Sequence, residues 1–390
     1  MSVSVGNRLR GADGLRTIAC LLVLWHHISQ RLNPDQSPRW LQIIHYAGMR
    51  GEVGVSLFFV LSGALLSYPF WRNFLDGKKS PDIRRYVRNR IARIAPAMWF
   101  NLLFVTLIAS VVYDIPTNFA RLLQGLTFTN SYFYTTFFPA DLNGPLWSIG
   151  LEVSCYILLP FVLLSVIKSA RNFSSAVIAM LVWMGALLLI NPWIINTFMT
   201  GNEGKGWNNG LVGGAKQWLP YWNINSFFTQ FLCGSLAALL VAKVAQSGPS
   251  KRYDVLAIAS LIAAAVIVWT RVNPGSPDAL THQAYASPFY SALMAMALFG
   301  AASGTYLWKI LDNRAFTYLA SISFGIYLWH HFILTIMEKS FTTDFGYYGI
   351  HDPIRWAKLA LIDIVLSIAI AAVSWKFFEK PILDKVRRRK

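Results

Sequence analysis

The chain has 390 residues, 55% of them hydrophobic and 14% charged, which is too apolar for a water-soluble domain of this length and suits a lipid bilayer. Its net charge is +17, but the apolar segments leave no soluble domain to present that charge, so the expected counterpart is anionic lipid and no nucleic-acid partner is expected. Cys20, Cys155 and Cys233 fall inside apolar segments without metal-ligand spacing, so neither a disulfide framework nor a metal site is expected.

Segments long enough to cross roughly 30 Å of hydrocarbon are predicted at 15–32, 53–72, 91–113, 145–168, 173–198, 220–243, 254–272, 288–311, 316–338 and 355–378. Residues 119–138 are a further re-entrant or interfacial candidate. The expected fold class is therefore all-α, a polytopic membrane protein with about ten transmembrane helices. An even number of spans puts both termini on one side, where 25 Lys and Arg collect against 10 on the other, and that bias makes both termini cytoplasmic. Residues 72–93 form a basic cytoplasmic loop in which Arg84, Arg85, Arg88, Arg90 and Arg93 recur at helical spacing. The outer stretches 130–145 and 201–222 are nearly neutral and rich in Asn, Gly, Tyr and Trp; within the second, 201–219 is the expected periplasmic loop. Trp218, Tyr221 and Trp222 there carry two readings, contact with a hydroxyl-bearing partner or an interfacial aromatic belt.

Several spans hold ionisable groups, which cost several kcal/mol in hydrocarbon and tend to mark proton relays or reaction centres. The first carries Arg16, His26 and His27. Helical rise places His27 roughly 16 Å from Arg16, and puts Glu152, His330 and Asp363 at roughly 20, 21 and 18 Å from the same face. Four side chains from four spans thus share a layer. Eleven residues of helix are three turns plus about 20°, so Arg16 and His27 project from one face while His26 turns elsewhere into packing. Ser148, Glu152 and Tyr156 align on a second stripe, and Tyr327 aligns with His330 or His331 on a third. Each also has a plainer reading: helix-to-helix hydrogen bonding for the histidines, a structural counter-charge for Asp363.

Taken together, these marks resemble the acyltransferase 3 family of integral membrane O-acyltransferases, over most of the chain. Its Arg and His separated by ten residues appear in DGLRTIACLLVLWHH as Arg16 and His27, after Asp13. GEVGVSLFFVLSG (51–63) matches its second-span signature, and RNRIARIAP, with Arg90, Arg93 and Pro96, its basic entry to the third span. LWSIGLEVSCY holds Trp147, Ser148, Glu152 and Tyr156; SFGIYLWH holds Tyr327 and His330; and FEKP holds Glu379 and Pro381. Two departures stand out: Val153 and Ser154 replace a second acid and a Gln, and Ser56 replaces an Asp.

The resemblance implies a single transmembrane acyltransferase domain over 1–390, a multi-pass protein of the bacterial cytoplasmic (inner) membrane. It also implies transfer of an acyl group, commonly acetyl, from acyl-CoA to a hydroxyl. The acceptor is expected to be a surface or lipid-linked glycan such as lipopolysaccharide, with a small metabolite as the alternative. Guanidinium groups grip phosphate, so Arg16, Arg90, Arg93 and, more peripherally, Arg88, Arg84 and Arg85 are the expected donor-binding set. His27 is the expected general base, with Glu152 orienting its ring, and His330, Tyr156 and Tyr327 are candidate donors to the thioester oxyanion. Direct transfer and an acyl-histidine intermediate both remain open. The rival class is a proton-coupled transporter, but the inverted repeats common there are absent from the sequence.

Overall fold

The computed structural model describes residues 9–35, 37–199, 201, 203–272, 283–340 and 344–388. Among these the protein is helical, and its only β-type feature is an isolated bridge between Leu32 and Ile350. Nine helical stretches are long and apolar enough to cross a membrane, and they correspond to the second through tenth expected spans. The first span is helix α1 (Ala12–Ser29). Arg16, His26 and His27 lower its hydropathy, but it meets other helices more than lipid: α13 (Arg314–Ser340), α3 (Gly54–Leu75) and α2 (Arg39–Met49) all pack on it. A helix sheltered in this way tolerates polar groups that a lipid-facing one does not.

The start of α1 is fixed by the carboxylate of Asp312, which accepts hydrogen bonds from the Gly11 and Gly14 backbone N–H groups at 2.7 and 3.4 Å. Gly14 carries no side chain because Leu311, which ends α12 (Leu307–Leu311), packs directly against it. The expected basic loop 72–93 is largely helical: Arg72 lies in the last turn of α3, and Arg84 to Arg93 fall in the first turns of α4 (Ile83–Val112), leaving only 76–82 as a link. Within 119–138 lie a short helix, α5 (Phe119–Leu126), and a turn at 130–132. The stretch 201–219, whose position 202 lies outside the described residues, contains helix α8 (Gly210–Trp218).

The tightest interface joins α3 to α9 (Ile224–Val244). Lipid tails are as apolar as Leu, so helices in a bilayer associate through close van der Waals packing, and small residues permit it. Here Gly63 lies against the carbonyl of Phe231 and Gly234 against that of Val60, so a methyl group at either would overlap facing backbone. Around this pair stand α6 (Trp147–Ser169), α7 (Phe173–Met199) and α11 (Phe289–Ser303); α10 (Lys251–Arg271) packs on α11, and α14 (Pro353–Ser374) on α13, with α14 followed by a π-helical turn at Trp375–Glu379 and by α15 (Lys380–Arg388). Helix α7 presents most of its surface outward.

Gly63→Ala is expected to cost about 1–3 kcal/mol through overpacking, read as a lower apparent melting temperature of the detergent-solubilised protein by fluorescence-detected size exclusion. Gly185→Ala on α7 meets nothing within 4 Å and should leave that temperature unchanged.

Candidate active site

The inner face of α1 runs Arg16, Cys20, Val23, His27, and it meets a stripe of α13 that runs Ser323, Tyr327, His330. Arg16 donates through Nε to the Ser323 hydroxyl at 3.2 Å, the Cys20 thiol lies 3.7 Å from the Ser323 carbonyl, and the stripe ends where Nε2 of His330 sits 3.2 Å from Nδ1 of His27. The helical repeat separates the two ends of α1's stripe by roughly 16 Å.

Hydrogen-bond partners fix the imidazole tautomers. Nδ1 of His330 lies 2.9 Å from the Tyr327 carbonyl and 3.1 Å from that of Ile326. A carbonyl oxygen only accepts, so this nitrogen carries the proton and Nε2 of His330 is an acceptor. Nδ1 of His27 lies 2.9 Å from the Val23 carbonyl; it carries its proton too, shared between that oxygen and His330. Neutral His27 therefore presents Nε2 as a lone pair. Its ring is only half-buried.

Two more histidines crowd this ring, His26 at 4.9 Å and His331 at 5.1 Å between centroids. The choice between His330 and His331 dissolves, since both face His27. His26 packs as expected, with Nδ1 2.7 Å from the Met49 carbonyl. Among the described residues no group of three or more His, Cys, Asp or Glu side chains has the arrangement of a metal site. Two amides that sequence patterning does not flag, Asn101 of α4 and Asn143 before α6, donate to the Leu328 carbonyl at 3.0 and 2.8 Å. They clamp α13 between Tyr327 and His330.

Glu152 belongs to a second group. It accepts from Ser62 at 2.9 Å and from the Tyr156 hydroxyl, and it makes no hydrogen bond with His27, so the orienting partner of that ring is His330 with the Val23 carbonyl. Glu152, Arg16, Ser148, Ser323 and Tyr327 line a cavity of about 30 Å³. Tyr327 bonds Ser148 at 2.7 Å and donates to the Pro145 carbonyl at 2.9 Å. The donor hydrogens of Tyr156, Tyr327 and His330 are thus engaged within the protein, which leaves none of them aimed at an oxyanion in this arrangement.

At the Arg16 end, α4 turns two of its arginines inward. Arg90 lies 5.9 Å from the Tyr156 ring. Arg93 pairs with buried Glu379 at 3.4 Å and stands over Trp375 and Phe324, while Ser374 donates to the same carboxylate at 3.1 Å. Arg88 does not join them. It and Arg84 are exposed and border a groove lined by Ile382 and Val386 of α15, because two residues of helix turn Arg88 to the side opposite Arg90; Arg85 is exposed as well. Asp363 is fully buried on α14, accepts from Ser367 at 3.3 Å and makes no hydrogen bond with the histidines.

The departures from the motif are absorbed structurally. Ser56 bonds Ser287 and Ser291 at 3.3 and 3.1 Å, and Ser154 accepts from Tyr132 at 2.6 Å. Neither reading of Trp218, Tyr221 and Trp222 describes them, since all three are buried. Trp222 stacks on Trp147 at 4.0 Å and 9°, with Trp218 beside it at 4.4 Å, so these rings close one end of the α6–α9 contact.

An acyltransferase domain model, that of the acyltransferase 3 family, matches residues 9–377. Among curated proteins the chain is similar to the peptidoglycan O-acetyltransferase OatA of Listeria monocytogenes, 22% identical over 95% of this chain and 55% of that one. It is also similar to the O-acetyltransferase OatA of Staphylococcus aureus, 23% identical over 97% and 57%. The chain spans about half the length of these relatives. No solved structure matches it.

Removing Glu379 leaves the Arg93 charge buried without its partner. Glu379→Ala is expected to cost about 3 kcal/mol, measured as thermal stability in detergent, and Arg93→Leu combined with it should recover part of the loss.

Proposed function

The chain belongs to the acyltransferase 3 family, and on that footing we propose that it moves an acetyl group from acetyl-CoA to a hydroxyl of a cell-wall or other surface glycan, in the cytoplasmic membrane of a bacterium. The observation that carries this reading is the His27 ring, held through Nδ1 with Nε2 left as a lone pair beside α13. The naming of the similar proteins as peptidoglycan and other O-acetyltransferases supports the glycan acceptor and the acetyl group. The basic bias of the α1 starting end supports a cytoplasmic donor.

The donor enters at that end. Arg16 and Arg90 are the primary ligands of the CoA phosphates, with Arg93 held between them and Glu379 as a fixed positive charge, and the pantetheine arm follows the Arg16 to His27 stripe. The acceptor oxygen attacks the thioester carbonyl while its proton passes to Nε2 of His27. As the tetrahedral intermediate collapses, the carbon–sulfur bond breaks, the sulfur takes that proton back, and CoA leaves as the thiol. His330 is a positioning residue: its Nε2 accepts from Nδ1 of His27, so it fixes the reactive tautomer and stabilises the imidazolium by sharing that hydrogen. Glu152, locked by Ser62 and Tyr156, supplies negative charge to the cavity beside Arg16 and holds the guanidinium side of the path.

Removing general-base assistance costs about 100 to 10,000-fold, so His27→Ala should lower kcat by that order in membranes supplied with radiolabelled acetyl-CoA; undiminished turnover sinks the assignment. Arg90→Ala should instead raise KM for acetyl-CoA while kcat changes little, a split measured in the same assay across donor concentrations.

A further inference from the structure

At the end of α1 away from Arg16, a cavity of about 630 Å³ opens between the segment after α1, the end of α2 and the end of α10. Its volume falls within the range of small-ligand pockets. Three aromatic rings from three parts of the chain converge on it: Tyr46 of α2, Trp269 of α10 and Tyr348 of the loop after α13, each roughly half exposed. An interfacial belt would turn such rings singly towards lipid. Here the Arg50 guanidinium covers Trp269 at 4.8 Å and also donates to the Tyr46 carbonyl at 2.9 Å, so the rings belong to a built wall.

Two buried polar atoms of that wall lack partners, although the Arg50 guanidinium is bonded to Tyr46 and the His45 ring to the Ser29 backbone. His45 is 1% exposed, flanked by Tyr46 and Tyr348 at 5.4 and 5.9 Å, and its Nδ1 has no partner among the described residues. Nε of Arg50 is likewise buried without one. Asp35 borders the opening with its carboxylate exposed. Tyr348 holds a left-handed backbone, φ 55°, which is uncommon for a bulky residue. It is pinned there because its N–H donates to the Gln30 carbonyl at 2.8 Å, and Ile350 donates to that of Arg31 at 3.1 Å. Bulky residues in such strained conformations persist where the surroundings over-determine them, often around ligand clamps.

Aromatic faces that take C–H surfaces, set beside an exposed carboxylate and a guanidinium that take hydroxyls, are the chemistry of a neutral sugar ring. We propose that this pocket binds one pyranose unit of the glycan acceptor. The wall is one hydrogen bond from the reacting layer, since the carbonyl of Met49, which lines the pocket, is held by His26 at 2.7 Å, and His26 precedes His27. A sugar seated here brings the next hydroxyl of its chain towards His27 from the side opposite the arginines. The inference rests on the acyl-transfer reading for its purpose, though not for the binding itself.

The test uses the full chain in phosphatidylcholine nanodiscs, with chitotriose, maltotriose and cellotriose as probes and saturation-transfer NMR and calorimetry as readouts. At least one should bind saturably. Trp269→Ala and Asp35→Ala should each weaken it about tenfold or more, and His27→Ala should bind it as the parent does. Absence of binding by all three, or binding unaffected by Trp269→Ala, overturns the pocket. Sugar binding that depends on Trp269, in a protein whose membranes consume no acetyl-CoA, upholds the pocket and overturns the transfer reading instead.

Discussion

The contact between His27 and His330 is the constraint around which the rest is arranged. Two imidazoles sit 3.2 Å apart only where one presents a hydrogen and the other a lone pair. Helix carbonyls impose that order. The Tyr327 and Ile326 oxygens claim Nδ1 of His330, and the Val23 oxygen claims Nδ1 of His27. The backbone thereby sets the protonation pattern of the side chains, and no carboxylate is needed against His27. The amides of Asn101 and Asn143 on the Leu328 carbonyl keep α13 from sliding out of that register.

Charge is kept a layer away. Glu152 is occupied by Ser62 and Tyr156, and Glu379 by Arg93 and Ser374, so the negative groups near the arginines are each anchored. Buried pairs of this kind contribute little net stability, because desolvation offsets most of the attraction. Their value lies in holding guanidinium groups at fixed positions without leaving them uncompensated in hydrocarbon.

Much of this was legible in the sequence, for a definite reason. The helical repeat assigns a face and a depth to every residue of a span, which was enough to set Arg16 and His27 on one side of α1 and to bring His330 to the same layer. It was also enough to place Glu152 above Tyr156. The repeat does not say which helix lies opposite. Helical rise gives Glu152, Asp363 and His27 one depth, yet Glu152 lines a cavity with Arg16 in a different hydrogen-bond group, and Asp363 bonds Ser367 on its own helix. Arg88 is misplaced by proximity in sequence to Arg90, when two residues of helix are enough to reverse direction. Trp218 and Trp222 read by composition as partner-binding or interfacial, yet Trp222 stacks on Trp147 and Trp218 packs on Trp222, which draws both inside. Partners contributed by loops, such as Tyr348 at its pocket, have no periodicity to betray them.

The backbone contact between α3 and α9 carries a mechanical consequence. Where Gly63 and Gly234 let carbonyls touch the facing helix, no side chains stand between the helices that can change rotamer to absorb a shift. The pair is therefore a stiff spine, while α7, α10 and α14 are the spans that turn most of their surface outward. A bilayer that thins, thickens or curves would press on those outer members first, and α14 would pass that load straight to α1, because Trp356 donates to the Ile28 carbonyl at 3.0 Å.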